Sequence, residues 1–256
     1  MFVGPERTAA IGEGKARSRS IPALGNIGQC GGIVKHPIRW LAAFVAVLLL
    51  FCAMPAESKT LKPQARESLR LLTEGNARFA AGKPLHPRQG EARRAEVAPG
   101  QHPFAIIISC SDSRVPPEIL FDQGIGDLFV VRVAGNVLDD MILGSVGYGA
   151  SHLGIPLVVV LGHKRCGAVT VAVGGGEVPD YARGIVDELK PAVDEARKSC
   201  KDGDLVEAAS HANVRRVVQM LRKNSPVLAR LIRAGELSVV GAYYDLDSGK
   251  VEFLRY

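Results

Sequence analysis

Three soft donors stand at two places in this chain: Cys110, and the His-x-x-Cys pair His163 and Cys166. Thiolate and imidazole together suit zinc, which favours tetrahedral nitrogen and sulfur ligands and in structural sites takes all four from the protein. Three donors leave one position for water, the arrangement of a catalytic zinc, or for Asp112 to enter as a fourth, oxygen ligand. Asp112 and Arg114 stand two residues apart beside Cys110, and a carboxylate next to a guanidinium makes a strong charge-assisted pair. A lone cysteine is more often a small packed residue than a ligand. What lifts these three above that reading is where they sit.

Each donor follows an uninterrupted apolar run, Ile106-Ile107-Ile108 before Cys110 and Leu157 to Leu161 before His163. Short Ile/Val runs bounded by turn residues read as strands buried on both faces of a parallel sheet, and ligands collect at the carboxyl ends of such strands. If the two strands are neighbours, the three donors converge. The remaining strands are expected at about 127–133 and 237–244, with 251–254 returning as a hairpin after the Asp245–Gly249 turn. Helices are expected near 117–121, 144–153, from Cys166 onward, over 181–199 with Pro191 as a break or restart, over 204–223, and from Pro226 to Gly235. Leu69, Leu72 and Phe79 mark an earlier amphipathic helix stopped at Gly82, and the stretch from Pro84 to Pro99 reads as a loop. The sum is one α/β domain: a mostly parallel central sheet of four strands plus a C-terminal antiparallel edge strand, flanked by helices and preceded by an N-terminal helical arm. Gly174-Gly175-Gly176 lacks the lysine and spacing of a phosphate loop.

The chain of 256 residues carries 32 Lys and Arg against 26 Asp and Glu. Six of the basic residues and two of the acidic ones lie within residues 1–56, so the remainder is close to neutral, with no basic stripe for nucleic acid. Lys35-His36-Pro37-Ile38-Arg39 leads into an apolar run from Trp40 to Cys52, followed by Ala53, Ala56 and polar residues. That is the layout of a secretory signal peptide, too short to span a membrane comfortably. The expected division is therefore a disordered or untranslated leader over 1–33, a signal peptide over 34–56, a helical arm and loop over 57–100, and a zinc-binding α/β domain over 101–256. Export to the periplasm follows, with no stable membrane association after cleavage.

Cys110-Ser111-Asp112-Ser113-Arg114-Val115, then Gly126 to Asn136, then Gly162-His163-x-x-Cys166-Gly167 resembles the beta class of carbonic anhydrases, with Val133 where many members carry Asn. The resemblance spans about residues 65–256. It implies one zinc per subunit on Cys110, His163 and Cys166, and reversible hydration of carbon dioxide to bicarbonate and a proton by hydroxide formed on the metal. It implies that Arg114 keeps Asp112 off the metal, and that the site shuts when this pair opens. Gln101, Phe129, Tyr148 and Gly167 are implied substrate-cleft residues, often supplied by a neighbouring subunit of a homodimer or homotetramer. Ile107 stands where a bicarbonate-regulated subgroup carries Trp. Two other readings compete: the same fold acting on carbon disulfide or carbonyl sulfide, and a non-catalytic zinc-stabilised oligomer, which would have no use for the Asp112–Arg114 pair. His86, His102, His152 and His211 are candidate proton carriers that the sequence does not separate.

Overall fold

A computed structural model describes residues 61–200 and 203–254; the expected leader and signal peptide lie outside the described residues. The elements are α1 (Pro63–Ala80), α2 (Glu91–Val97), β1 (Ala105–Ser109), α3 (Pro117–Leu120), β2 (Leu128–Arg132), α4 (Asp140–Ser151), β3 (Leu157–His163), α5 (Gly167–Gly174), α6 (Asp180–Ser199), α7 (Leu205–Lys223), α8 (Pro226–Ala234), β4 (Ser238–Tyr244) and β5 (Val251–Leu254). One five-stranded sheet runs β2-β1-β3-β4-β5, parallel throughout except for the antiparallel β4–β5 hairpin. This is the expected class, and the two strands ahead of the metal-type donors, β1 and β3, are direct neighbours.

The continuous apolar runs are explained by burial on both faces. Ile106, Ile108, Val158, Val160 and Val239 face α4, α7 and α8, while Ala105, Ile107, Leu157, Val159 and Leu161 face α1 and α3. A polar side chain anywhere in β1 or β3 would have to be desolvated, so alternation disappears.

Three details differ from the sequence reading. First, α1 does not stand apart as an arm; it covers its own sheet. Leu72 is fully buried against that face, and backbone at Phe121 presses where a Gly75 side chain would be. Asn76 donates to Leu120 O (3.1 Å) and Gly249 O (2.9 Å) and accepts from Val251 N (2.8 Å), tying α1 to α3 and to the β4–β5 hairpin. Second, the expected loop before Pro99 contains α2. This helix buries no residue and so shows no apolar periodicity. It is held instead by Arg93, which reaches Ile125 O (2.9 Å) and Asp127 (3.4 Å). Third, Pro191 neither breaks nor restarts α6, which is continuous over twenty residues. Pro191 and Asp187, whose carbonyl loses its donor, both lie on the exposed side, where water can replace the missing bond.

Candidate metal centre

The site forms where β1 and β3 end together. Ser109 is paired with Leu161, so Cys110 comes level with Gly162 and one residue short of His163. After His163 the chain turns through Arg165 at φ 51°, with Lys164 N bonded to Tyr244 O (2.9 Å), and Cys166 becomes the N-cap of α5. Gly162 has no side chain because α7 closes there; a Cβ would sit 2.5 Å from a methyl of Val214.

The donor atoms of Cys110, His163 and Cys166 lie within 4.8 Å of one another, and all three residues are buried. The two sulfurs are 3.9 Å apart. Zinc–sulfur bonds of ~2.3 Å at a tetrahedral angle require a sulfur separation of roughly 3.8 Å. His163 Nδ1 is 3.0 Å from the carbonyl of Lys164, an acceptor only, so the proton belongs on Nδ1. Nε2 is left with its lone pair, buried and without a partner. A buried acceptor between two thiols is costly unless something electron-poor meets it. The residues fit zinc.

Electrostatics favour the loaded state of Cys110. A hydrogen bond from Cys166, opposed by burial and aided by the amides of Asp112 and Gly135, holds the Cys110 thiol down to about 4. Those amides approach its sulfur at 3.4 and 3.2 Å. Cys166, the donor of the pair, is pushed up by that same bond and by burial.

Asp112 and Arg114 form the expected pair, in bidentate geometry: Nε to Oδ1 at 2.9 Å and Nη2 to Oδ2 at 2.7 Å, with the Arg114 amide also on Oδ1 at 3.0 Å. Arg114 is the main reason that the Asp112 carboxyl is held down to about 2. Asp112 Oδ2 also lies 3.9 Å from His163 Nε2, beside the donor set. Arg114 donates further to Arg165 O (3.3 Å), and Arg165 pairs with Asp247 (2.6 Å) in the β4–β5 turn.

Of the implied cleft residues, Gly167 lies at the site as the first residue of α5. Gln101 is exposed and precedes the amino end of β1, the end away from Cys110. Phe129 is level with Ile106, so it sits four residues back from Cys110 along the sheet, roughly 13 Å at ~3.3 Å per residue. Its ring lies 6.2 Å from that of Tyr148, which stacks on His152 at 4.9 Å. Within one chain these three are not brought to the donor cluster. His211 stacks on Tyr243 at 3.9 Å, and Tyr243 is paired with Gly162; burial lowers the pKa of His211.

Sequence reasoning gave no role to Arg132, which donates to Cys110 O (3.0 Å) and Asp112 O (2.7 Å) and so pins the segment bearing ligand and carboxylate. It also missed Asn213, which donates to Gly135 O at 2.9 Å. An arginine ending an apolar strand was the available signal for the first; an amide among the mostly apolar buried residues of α7 was the signal for the second.

Comparison with known proteins agrees with this geometry. The profile of the family described as carbonic anhydrase matches residues 105–251. The chain is 46% identical over 187 residues to a carbonic anhydrase of Mycolicibacterium smegmatis, covering 72% of this chain and 90% of that one. It is 44% identical over 186 residues to carbonic anhydrase 2 of Mycobacterium tuberculosis, covering 71% and 88%. Among solved structures, the beta-carbonic anhydrase CcaA superposes with a TM-score of 0.59 at 26% identity, covering 73% of this chain and 95% of the other. A Coccomyxa beta-carbonic anhydrase in complex with acetazolamide superposes with a TM-score of 0.57 at 26% identity, covering 77% and 87%.

Proposed function

The chain belongs to the beta class of the carbonic anhydrase family, a family of lyases, and on that premise we propose that it is a zinc enzyme interconverting carbon dioxide and bicarbonate. One observation carries the reading: the unpartnered, buried Nε2 of His163 beside two buried sulfurs 3.9 Å apart, a donor set with an unmet need for a cation. Zinc held by Cys110, His163 and Cys166 would supply Lewis acidity, making water a nucleophile near pH ~7.

The chain's own groups do the rest. The Lys164 carbonyl fixes the tautomer and tilt of the His163 ring. Arg114 keeps Asp112 ionised and occupies both carboxylate oxygens from one side, which turns the group into a hydrogen-bond acceptor beside the donor set rather than a member of it. Arg132 prevents the Cys110–Asp112 segment from sliding. A purely structural metal would gain nothing from the Asp112–Arg114 pair, and this favours catalysis.

Stopped-flow hydration of carbon dioxide with a pH indicator, alongside metal analysis, tests the proposal. The zinc-loaded protein should accelerate hydration, Cys110→Ser should lose both metal and rate, and Asp112→Asn should keep metal and lose rate. A pure, zinc-loaded protein no faster than background would refute it.

We further propose a homodimer or homotetramer in which a second copy brings Gln101, Phe129 and Tyr148 to the cleft. Their distance from the cluster of their own chain, and the place of β2 at the edge of the sheet among the described residues, support this. Sedimentation of the purified protein as a monomer would refute it. Export to the periplasm is proposed from the basic-apolar-small pattern of residues 34–56, to be checked by N-terminal sequencing of the mature protein. Among the described residues no helix is long and apolar enough to cross a membrane.

A further inference from the structure

Behind the donor set stands one buried side-chain amide. Asn213, on α7, is 1% exposed, and its Nδ2 donates to Gly135 O at 2.9 Å. The amide of that same Gly135 donates to Cys110 Sγ at 3.2 Å. Gly135 has φ 71° and Asn136 has φ 40°, two successive left-handed residues. A Cβ on Gly135 would meet Leu189 at 3.1 Å and Ala168 at 3.3 Å, so glycine is required by both conformation and space. A single 3-10 turn spans Ala134–Asn136, with Asn136 N bonded to Val133 O at 3.0 Å, and a turn this short leaves the Gly135 carbonyl to a partner from outside. Facing a carbonyl, Asn213 can present only its NH2 group, so its orientation is fixed. The cost of keeping an amide here is visible: Asn213 Oδ1 and Asn136 Nδ2 are both buried with no partner.

We propose that Asn213 is a positioning residue for the metal centre: by holding Gly135 it aims the Gly135 N–H at Cys110 Sγ and withdraws electron density from that ligand sulfur. The inference rests on the metal reading above and adds to it a residue remote from the ligands in sequence. A hydrogen bond to a ligand atom sets how strongly that atom donates, and losing such an outer partner typically weakens metal binding by about 10–100-fold.

The test uses Asn213→Leu and Asn213→Ala, neither of which can donate to Gly135 O, and Val217→Ala as control. Val217 is fully buried on the same helix, with no bond to the site. Zinc affinity is read by competition with a chromophoric chelator, and the sulfur-to-cobalt charge-transfer band is read after cobalt substitution. Both Asn213 variants should bind zinc ~10–100-fold more weakly and shift the band to longer wavelength, because an unbonded sulfur is easier to oxidise. Val217→Ala should lose thermal stability while keeping the affinity and band of the parent. Asn213 variants with parental affinity and band, or a Val217→Ala variant with the same changes, would overturn the proposal. A parent protein that takes up cobalt without any thiolate band would instead sink the metal reading, so the two failures are distinct. Should Asn213→Leu not fold, Asn213→Ala, which adds no bulk, decides the matter.

Discussion

Replacing Gly162 by alanine should destabilise the protein through one identifiable collision, and a second substitution should relieve it. Gly162 is the penultimate residue of β3, level with Tyr243 and adjacent to His163. Its added methyl would stand 2.5 Å from Val214 Cγ2 and 3.4 Å from Tyr243 Cδ2. Non-bonded carbons rest at about 3.5–4.0 Å, so the first contact overlaps by at least about 1 Å. Val214 is fully buried on α7, and a β-branched residue in a helix has essentially one χ1 state, so the methyl cannot swing aside. Either α7 lifts from the sheet or β3 buckles next to its histidine. Overpacking of this kind costs ~1–3 kcal/mol, and for a domain of this size that is a fall of about 2–12 °C in Tm. Val214→Ala alone loses two buried carbons, at ~0.8 kcal/mol each before the cavity is counted. In the double variant the methyl of residue 162 enters the space vacated at 214, so the two losses should fail to add by at least ~1 kcal/mol. Thermal and urea unfolding of the four zinc-loaded proteins measures this, with zinc content read in parallel because strain at 162 displaces His163. A Gly162→Ala protein as stable as its parent, or losses that add to within ~0.5 kcal/mol, would refute the reasoning.

Arg114→Ala should release the Asp112 carboxylate toward the donor set and reduce hydration at least ~10-fold with zinc still bound, checked by stopped-flow and metal analysis; Arg114→Lys, which cannot form the bidentate pair, should fall nearly as far. Asp122→Ala should cost ~3–5 kcal/mol in urea unfolding, because its buried carboxylate bonds Arg78 (2.6 Å) and the amides of Leu85 (3.0 Å) and His86 (2.9 Å). Burial alone would raise the Asp122 pKa, but the Leu85 amide, Arg78 and the His86 amide together hold it below the ordinary carboxylate value. The stability it contributes is therefore present above ~3.9 and drains away as pH falls through the lower folded value, so parent and variant should converge in acid. Removing zinc with a chelator should abolish hydration and lower Tm, and returning it should raise Tm with the logarithm of free zinc.

The donors were legible in the sequence because their strands were. Ile106–Ile108 and Leu157–Leu161 read as strands with two buried faces, and the adjacency of β1 and β3 brings their polar carboxyl ends together. Asp112 and Arg114 were legible from spacing alone. Asn213 was not, since its partner Gly135 lies seventy-eight residues away and only the packing of α7 joins them. α2 escaped notice because arginine–carboxylate bonds, not an apolar face, hold it. Pro191 misled because the rule for proline in helices assumes that the freed carbonyl cannot be rehydrated, and here it faces solvent. Gln101, Phe129 and Tyr148 answer to a resemblance rather than to any contact a single chain makes with its own cluster.

The adjacency of β1 and β3 has a topological consequence. Cys110 and Cys166 are fifty-six residues apart along the polymer, so an ion gripping both is a staple across a ring that includes β2, α4 and β3. A chain unravelled with that staple in place would forgo about 4 kcal/mol of disorder relative to the open polymer. Opening of the fold and escape of the ion are thereby linked events, and the same few atoms that would perform the chemistry also act as a lock on the topology.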